Sequence, residues 1–331
     1  MISDSNYRVP RPSDHERIDW PEAFGTRYTV FVDVEEEFDW HAPLDRGNRT
    51  TTAITAFPEA HCRFAEWGVA LACMIDYPIA TDPAAIAILS RAIEDGRSEI
   101  GTQLHPWVNP PFDEVVEPVA SYAGNLVRDL EAAKIDVLTD AVATAFGTRP
   151  RAYRAGRYGI GPRTIALLAE RGYRIDSSVR SGYDYRADGG PDFTGIGRNA
   201  YCTGSVVELP LTTVFTGRLR RSGAALYATL GRFPKARGAF ARAGLLSRIA
   251  LTPEDMPIAS AIEAVDVALD DGVRLLNFSF HSPSLVPGNT PYVRDQADLA
   301  GFNSWWATMV RHLQRRGVAN ASLGEILDAL A

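Results

Sequence analysis

Cysteine is scarce in this chain of 331 residues, which contains only Cys62, Cys73 and Cys202. The number is odd and no pair has CxxC spacing, so the sequence indicates neither a disulfide framework nor a cysteine-based zinc or redox motif. Cys73 lies within an apolar run. We therefore interpret all three as buried thiols.

Long apolar runs and an excess of positive charge are also absent. No segment approaches the ~18 apolar residues that can span a bilayer, and the first twenty residues lack the apolar core of a signal peptide. We therefore expect a cytoplasmic protein. The formal net charge of -7 argues against general nucleic-acid binding. Nothing in the sequence indicates an oligomeric state.

The most informative segment is the sequence YTVFVDVEEEFDW, at residues 28 to 40. Its β-branched and aromatic residues predict a buried strand, which passes into a run of carboxylates without a turn residue. Residues two apart on a strand share a face, so Asp33 and Glu35 should project together, opposite to Val34 and Glu36. Two carboxylates directed at one place indicate a site for a cation, a shared proton or a substrate.

Other predicted strands also end in polar residues. EIGTQL, at residues 99 to 104, precedes His105, and LLNFSF, at residues 275 to 280, precedes His281. By the same alternation, Gln103 shares a face with His105. Four further predicted strands bring the total to seven; they cover residues 71 to 75 before Asp76, 151 to 153 before Arg154, 173 to 175 before Asp176, and 206 to 209.

The segments between these strands are long enough for helices, which we predict at residues 82 to 95, 162 to 171, 260 to 270 and 303 to 316. Alternating strands and helices predict a parallel sheet, and polar residues at the strand ends favour an α/β barrel. A Rossmann sheet is disfavoured because no GxGxxG follows the first strand. With 46% apolar and 23% charged residues, the chain can form one barrel of about 250 residues or more.

We expect three regions in this organisation. Residues 1 to 25, rich in charge and proline, form an N-terminal arm, and residues 26 to 331 form the barrel domain. Residues 218 to 256 form a basic helical insertion between strands six and seven. Residues 218 to 248 contain eight Lys or Arg residues and no acid. This stretch is interpreted either as a helical hairpin with a solvated basic side or as a surface that contacts an anionic substrate, a phospholipid membrane or another copy of the chain.

Five segments, taken in order, resemble the polysaccharide deacetylase family, also called the NodB-homology or carbohydrate esterase 4 group. They are FVDVEEEFDW, EIGTQLHPWVNPP, YRAGRYG, GYRIDSS and LLNFSFHSPSL. The resemblance covers residues 26 to 330 and is closest to a divergent branch called WalW-like, with a DVEE-type first motif and HPW in the second. It implies a distorted (β/α)7 barrel that removes acetyl groups from a saccharide by means of a divalent metal ion, often zinc.

The resemblance also implies roles for individual residues. Asp33 would be the catalytic base, His281 the catalytic acid, and Arg154 the residue that orients the base. Gln103 stands where the family has the first histidine of its second motif, and Val34 where it has a second aspartate. Glu35 and His105 would then be metal ligands, and the third would be Asp76, or His281 if it gives up its acid role. Gln103 and Asp176 are expected among the substrate-binding residues, together with Trp107 and Tyr158, whose rings offer flat surfaces for a sugar.

Two alternatives to a deacetylase of N-acetylated or O-acetylated saccharides stay open. The missing histidine favours a metal-independent hydrolase of non-peptide C–N bonds in small ureides or cyclic imides. A non-catalytic carbohydrate-binding barrel is the other, but desolvated carboxylates contribute little to pure binding. We expect Asp33→Asn and His281→Ala to abolish turnover with little loss of stability, because neither residue lies on an apolar face.

Overall fold

A computed structural model describes residues 7–330. Its strands are β1 (Arg27–Val34), β2 (Leu71–Ile75), β3 (Glu99–Leu104), β4 (Ala152–Ala155), β5 (Ile175–Asp176), β6 (Tyr201–Thr203), β7 (Val206–Glu208), β8 (Thr213–Thr216), β9 (Ser247–Ala250), β10 (Leu275–His281) and β11 (Ala319–Asn320). Its α-helices are α1 (Phe57–Glu66), α2 (Tyr77–Thr81), α3 (Pro83–Ala92), α4 (Arg128–Phe146), α5 (Thr164–Glu170), α6 (Gly223–Leu230), α7 (Ala236–Arg242), α8 (Ile258–Asp270), α9 (Gln296–Arg315) and α10 (Leu323–Asp328).

Seven parallel strands form a curled sheet in the order β10, β1, β2, β3, β4, β5, β7, which confirms the predicted distorted (β/α)7 barrel. Strand β6 adds to β7 in the antiparallel direction. Irregular backbone bridges the side between β7 and β10, where Thr212 N donates to Asn277 O and Ser279 N donates to Leu251 O. The carboxyl ends of the strands therefore face one common opening.

Strand β1 pairs with β10 on one side and β2 on the other, and its last seven residues are buried. Val30, Val32 and Val34 belong to the large core between the sheet and the helices, whereas Phe31 faces the barrel interior. The pairing register sets Asp33 beside His281 of β10. Two residues distant in sequence are thereby brought to the same end of the barrel.

Four of the ten α-helices of the described chain, α2, α3, α9 and α10, begin at a side chain that caps them. Asp295 accepts a hydrogen bond from Asp298 N at the start of α9, and Ser322 forms a capping box with Glu325 at the start of α10. Helix α9 therefore begins seven residues before its predicted start at residue 303. Trp306 of this helix is buried against Phe64 and Phe280.

Helix α4 fixes the loop that follows β3. Lys134 is fully buried on this helix and donates to the backbone oxygens of Pro106, Asn109 and Pro111, at 2.6 to 2.9 Å. It also pairs with Glu114 at 3.1 Å. Four contacts to one ammonium group hold the loop that carries His105 against the barrel.

Residues 7 to 25 run along the sheet edge and close the barrel interior at the end opposite to the opening. Ile18 N donates to Ala200 O, while Trp20 and Phe24 stack on each other and pack in the inner cluster with Phe31. The first six residues of the predicted N-terminal arm, and residue 331, lie outside the described residues.

The predicted helical insertion at residues 218 to 256 contains strand β9 as well as helices α6 and α7. Strands β8 and β9 form a two-stranded antiparallel sheet, and α6 and α7 lie in the connection between them. Within residues 7–330, no helix is both long enough and apolar enough to cross a membrane.

The prediction that all three thiols are buried is wrong for two of them. Cys73 is buried in β2, but Cys62 is exposed on α1 and Cys202 is half-buried in β6. A helix turns every third or fourth residue towards the sheet, and Cys62 does not occupy one of those positions.

Candidate active site

A cavity of about 770 Å³ lies at the carboxyl ends of the strands. Strand β1 contributes Asp33 and the residue after its end, Glu35. The ends of β3, β4 and β10 supply the facing side chains: Gln103, His105, Arg154 and His281. With Trp107 and Tyr158, which also line this cavity, the structure brings together eight of the ten site residues predicted from sequence.

Asp33 is held in a buried ion pair. Arg154 Nη1 donates to Asp33 Oδ1 at 2.7 Å and to Ser279 Oγ at 2.6 Å, and Arg154 Nη2 donates to Ser177 Oγ at 3.0 Å. Both members of the pair are buried. These contacts fix the orientation of the carboxylate and leave its second oxygen directed at His281.

His281 is held through its other ring nitrogen. Its Nδ1 lies 2.7 Å from Glu254 Oε2, and its Nε2 lies 3.7 Å from Asp33 Oδ2. Burial lowers the pKa of His281, but the carboxylates of Glu254, Glu35 and Asp33 outweigh burial and raise it to about 10. The ring is therefore a cation near neutral pH, with its Nε2–H facing the cavity.

His105 has the same arrangement on the opposite side. Its Nδ1 lies 2.7 Å from Glu36 Oε2, and Trp107 Nε1 donates to Glu36 Oε1 at 2.9 Å. Burial lowers the pKa of His105, which favours the neutral ring, and burial raises the pKa of Glu36 to about 7. A histidine fixed at Nδ1 presents the lone pair or proton of Nε2 to the cavity.

The Gln103 side chain lies between Glu35 and His105 and contacts both. Its side-chain nitrogen lies 3.0 Å from Glu35 Oε2 and 3.2 Å from His105 Nε2. Glu35 Oε1 and Gln103 Oε1 are buried, and neither accepts a hydrogen bond from the described residues. Burial raises the pKa of Glu35 to about 8. A buried carboxylate with an unused oxygen is a group that a cation would stabilise.

The predicted metal ligands do not form one group. Within residues 7–330, candidate ligand atoms cluster as Asp33, Glu35 and His281, and separately as Glu36, Asp76 and His105, each within 4.8 Å. Asp76 caps α2 by accepting from Ile79 N at 2.8 Å, and it also accepts from Glu36 N at 2.6 Å. It does not line the cavity, so it positions Glu36 and is not beside Glu35.

The cavity side of His105 nevertheless fits a divalent cation. Nε2 of His105 and a carboxylate oxygen of Glu35 lie 3.6 Å apart, and the Glu36 contact supplies the outer hydrogen bond typical of a metal-bound histidine. A 180° rotation of the Gln103 amide would exchange its nitrogen for its unused oxygen at the position between Glu35 Oε2 and His105 Nε2. Glu35, His105 and Gln103 would thus offer a divalent cation a carboxylate oxygen, an imidazole nitrogen and an amide oxygen.

Asp176 lies behind the cavity wall and cannot contact a substrate in the cavity. It is fully buried at the end of β5, where it accepts a hydrogen bond from Ser178 Oγ and pairs in register with Glu208. Burial raises its pKa to about 6. The predicted substrate-binding role is therefore replaced by a structural one next to Arg154.

The sequence interpretation missed both carboxylates that orient the histidines. Glu36 was expected to point away from the site, and it does face away from Asp33, but it reaches His105 from behind. Glu254 follows β9, near the end of the predicted insertion at residues 218 to 256. The sequence SRIALTPED was itself a short apolar run that ends in acids, so the rule used for the other strand ends could have identified it.

Aromatic side chains form the rest of the wall near the histidines. Trp107 stacks on His105 with ring centroids 4.3 Å apart, and Phe38 lies edge-on to both. Trp40 lies edge-on to His281 at 5.0 Å. Flat apolar surfaces of this kind suit the faces of sugar rings.

Comparisons with known proteins bear on the fold alone. No protein-family model and no curated protein matches the chain. Similar solved structures include a 4-alpha-glucanotransferase from Thermococcus litoralis, with 11% identity over 92% of this chain and 40% of that one and a TM-score of 0.52. They also include a putative polysaccharide deacetylase from Mycobacterium smegmatis, with 19% identity over 93% of this chain and 96% of that one and a TM-score of 0.48. A peptidoglycan deacetylase from Bacillus subtilis has 10% identity over 92% of this chain and 91% of that one and a TM-score of 0.41.

Proposed function

We propose that this protein is a hydrolase that removes an acetyl group from an N-acetylated saccharide. One observation carries the proposal: Asp33, paired with Arg154, lies 3.7 Å from His281, paired with Glu254, at the mouth of the cavity. A carboxylate base beside a histidine that stays protonated is the pair of groups that amide hydrolysis needs. The order of sequence motifs described above agrees with this chemistry.

The roles follow from the charge state of each group. Asp33 accepts a proton from the water that attacks the acetyl carbonyl, while Arg154 keeps its carboxylate in place. His281 Nε2 donates its proton to the sugar nitrogen as the C–N bond breaks, so that acetate and a free amine leave. Proton transfers of this kind contribute about 10²–10⁴-fold each to the rate. Trp107, Tyr158 and Trp40 form the walls along which the sugar binds.

A divalent ion held by Glu35, His105 and Gln103 would polarise the acetyl carbonyl and make the attacking water more acidic. We expect protein loaded with Zn²⁺ to contain one ion per chain by elemental analysis. A chelator should abolish hydrolysis of N-acetylglucosamine oligomers, and added Zn²⁺ should restore it. Glu35→Gln should lower Zn²⁺ affinity by more than the about 10–100-fold that is typical for loss of a residue behind a metal ligand, because Glu35 would contact the ion directly. Glu117→Gln, which changes an exposed carboxylate, should not lower it. Full turnover by chelated protein would contradict the metal-dependent mechanism.

Full turnover by chelated protein would favour a metal-independent hydrolase of C–N bonds in ureides or cyclic imides. The specific observation for it is the Gln103 amide, whose nitrogen contacts Glu35 and His105 at the position that a metal ion would occupy. Hydrolysis of allantoin-like rings by chelated protein, without hydrolysis of acetylated sugars, would select this second candidate.

The Glu254–His281 pair leads to a prediction about pH. The carboxylate of Glu254 helps to keep His281 protonated up to a pKa of about 10, so activity should fall only as pH rises through that range. Glu254→Gln removes this charge and should move the alkaline limb of the kcat/KM profile to lower pH. Profiles of both proteins test this, with Asp266→Asn as control because Asp266 contacts a different histidine, His312. An unmoved alkaline limb in Glu254→Gln would remove His281 from the acid role.

A further inference from the structure

Two arginines that line the cavity, Arg157 and Arg180, form no ion pair with a carboxylate in the described part of the chain. Arg180 lies four residues beyond the end of β5 and is half-buried. Within residues 7–330, no carboxylate oxygen lies within 4.0 Å of its side-chain nitrogens, the limit for an ion pair. This separates it from Arg154, the fully buried arginine of the cavity, whose charge is matched by Asp33. Arg157 differs again, because it donates to Ser121 Oγ and stacks on the Tyr122 ring.

The hydrogen-bonding capacity of Arg180 is also largely unused. Its contact to Tyr185 Oη is 3.3 Å long, and its Nε is buried without a partner. A guanidinium group has five N–H donors, arranged so that a carboxylate or phosphate can bind to two of them at once. Arg180 therefore keeps donors available in a partly desolvated position.

Tyrosine rings surround this guanidinium. Arg180 Cζ lies 4.1 Å from the ring centroid of Tyr183 and 5.6 Å from that of Tyr158. A second arginine, Arg248, contacts the same Tyr183 ring at 3.4 Å and also has a buried Nε without a partner. Stacking on tyrosine orients both cations but leaves two like charges close together. An anion would relieve that repulsion.

The acids on the same side of the cavity do not supply this anion. Asp188 and Asp255 line the cavity, but both are exposed to solvent and neither forms an ion pair with Arg180 within the described part of the chain. Glu254 is engaged by His281 and Ser284. The position in front of Arg180 is thus open to a negative group of a ligand.

The backbone near this position is strained in a way that directs side chains into the cavity. Arg157 and Tyr158 are consecutive non-glycine residues in the left-handed region, with φ of 55° and 58°. Such conformations are unfavourable for these residues and cluster at functional sites. Tyr158 thereby contacts Arg180. Burial raises the pKa of the Tyr158 hydroxyl, and the positive charges of Arg180 and Arg154 oppose this rise. Tyr158 lies between the proposed catalytic pair and Arg180.

We infer that Arg180, with Tyr158 and Tyr183, forms a subsite for an anionic group, a carboxylate or a phosphate, carried by the saccharide whose acetyl group is removed. The inference rests on the proposed function and specifies its substrate class. Binding of the anion at Arg180 would place the acetamide of the same molecule toward Asp33 and His281. A neutral acetylated sugar would lack this anchor and would bind less tightly.

The test compares kcat/KM for N-acetylglucosamine, N-acetylglucosamine 1-phosphate and N-acetylmuramic acid, which carries a carboxylate. We expect at least one anionic sugar to be preferred about tenfold or more, the effect of one charge-assisted hydrogen bond. Arg180→Gln should remove most of this preference, and Arg180→Lys should retain part of it, because the charge remains without the planar donors. Arg237→Ala is the matched control, since Arg237 stacks on Tyr227 outside the cavity and should leave the preference unchanged.

Each outcome decides a separate point. The larger of the two anionic preferences identifies phosphate or carboxylate as the group bound. Equal rates for neutral and anionic sugars, or a preference that persists in Arg180→Gln, would overturn the subsite and leave the hydrolase proposal intact. If no sugar is hydrolysed, calorimetric binding of N-acetylglucosamine 1-phosphate and N-acetylmuramic acid still tests the subsite. Arg180→Gln should then weaken the binding of whichever one binds by about tenfold or more, and binding of neither, or equal binding by both proteins, would refute it.

Discussion

Replacing Asp33 by asparagine should lower kcat by about 10²–10⁴-fold, because an amide cannot accept the proton of the attacking water. The substitution should also destabilise the protein by about 3–5 kcal/mol, the usual effect of leaving a buried charge without its partner. That charge is Arg154, whose Nη1 donates to Asp33 Oδ1 at 2.7 Å. The structure therefore changes the expectation from sequence that Asp33 could be replaced at little cost in stability.

The double variant Asp33→Asn/Arg154→Met separates the two effects. Removing both members of a buried ion pair is far less destabilising than removing one, so the double variant should recover much of the lost free energy of unfolding. Its kcat should stay as low as that of Asp33→Asn, because the base is still missing. Denaturant unfolding and acetate release, measured on all four proteins of the cycle, test this. Turnover in Asp33→Asn close to that of the unsubstituted protein would exclude Asp33 as the base, whatever its stability.

The main features of the site could be predicted because they depend on local rules. Alternation along β1 places Asp33 and Glu35 on one side, and a parallel sheet places every strand end at one opening. These rules are sufficient to bring Asp33, His105 and His281 to the same cavity. They need no knowledge of which strands are neighbours.

The parts that could not be predicted depend on where the chain goes after each strand. Asp76 ends β2, as expected, but α2 begins immediately after it, and the carboxylate turns back to cap that helix at Ile79 N. Glu36 lies on the expected opposite face, yet the loop after β3 brings His105 and Trp107 to it. No spacing within either segment indicates these contacts.

Helix α4 illustrates a second reason why parts of the structure could not be predicted from sequence. Its inward face includes Glu131 and Lys134, both fully buried, so the apolar period that identifies an amphipathic helix is interrupted. Lys134 is stabilised there by three backbone oxygens and Glu114, all from the loop after β3. A buried lysine whose partners come from another segment cannot be distinguished, in sequence, from a lysine at the surface.

Replacing Gly156 by alanine should reduce kcat about 10²-fold, through the position of His105. A Cβ at residue 156 would lie 2.1 Å from His105 Cδ2 and 2.7 Å from Leu104 O. The imidazole cannot move aside easily, because Trp107 stacks on it with centroids 4.3 Å apart and Glu36 holds its Nδ1 at 2.7 Å. Misplacement of a catalytic or ligating group by about 1 Å is enough for such a loss.

The requirement at Gly156 is for space and not for backbone freedom, since its φ is not positive. Alanine should therefore also lower the free energy of unfolding by about 1–3 kcal/mol, as expected for overpacking. Gly301→Ala is the control, because a Cβ at this exposed position of α9 meets no atom within 4 Å and should leave turnover unchanged. Acetate release and Zn²⁺ affinity, measured on Gly156→Ala and Gly301→Ala, test whether the added methyl group at residue 156 displaces His105. If Gly156→Ala kept full turnover, His105 could not be needed at its observed position, because the added methyl group and the present ring cannot occupy the same space.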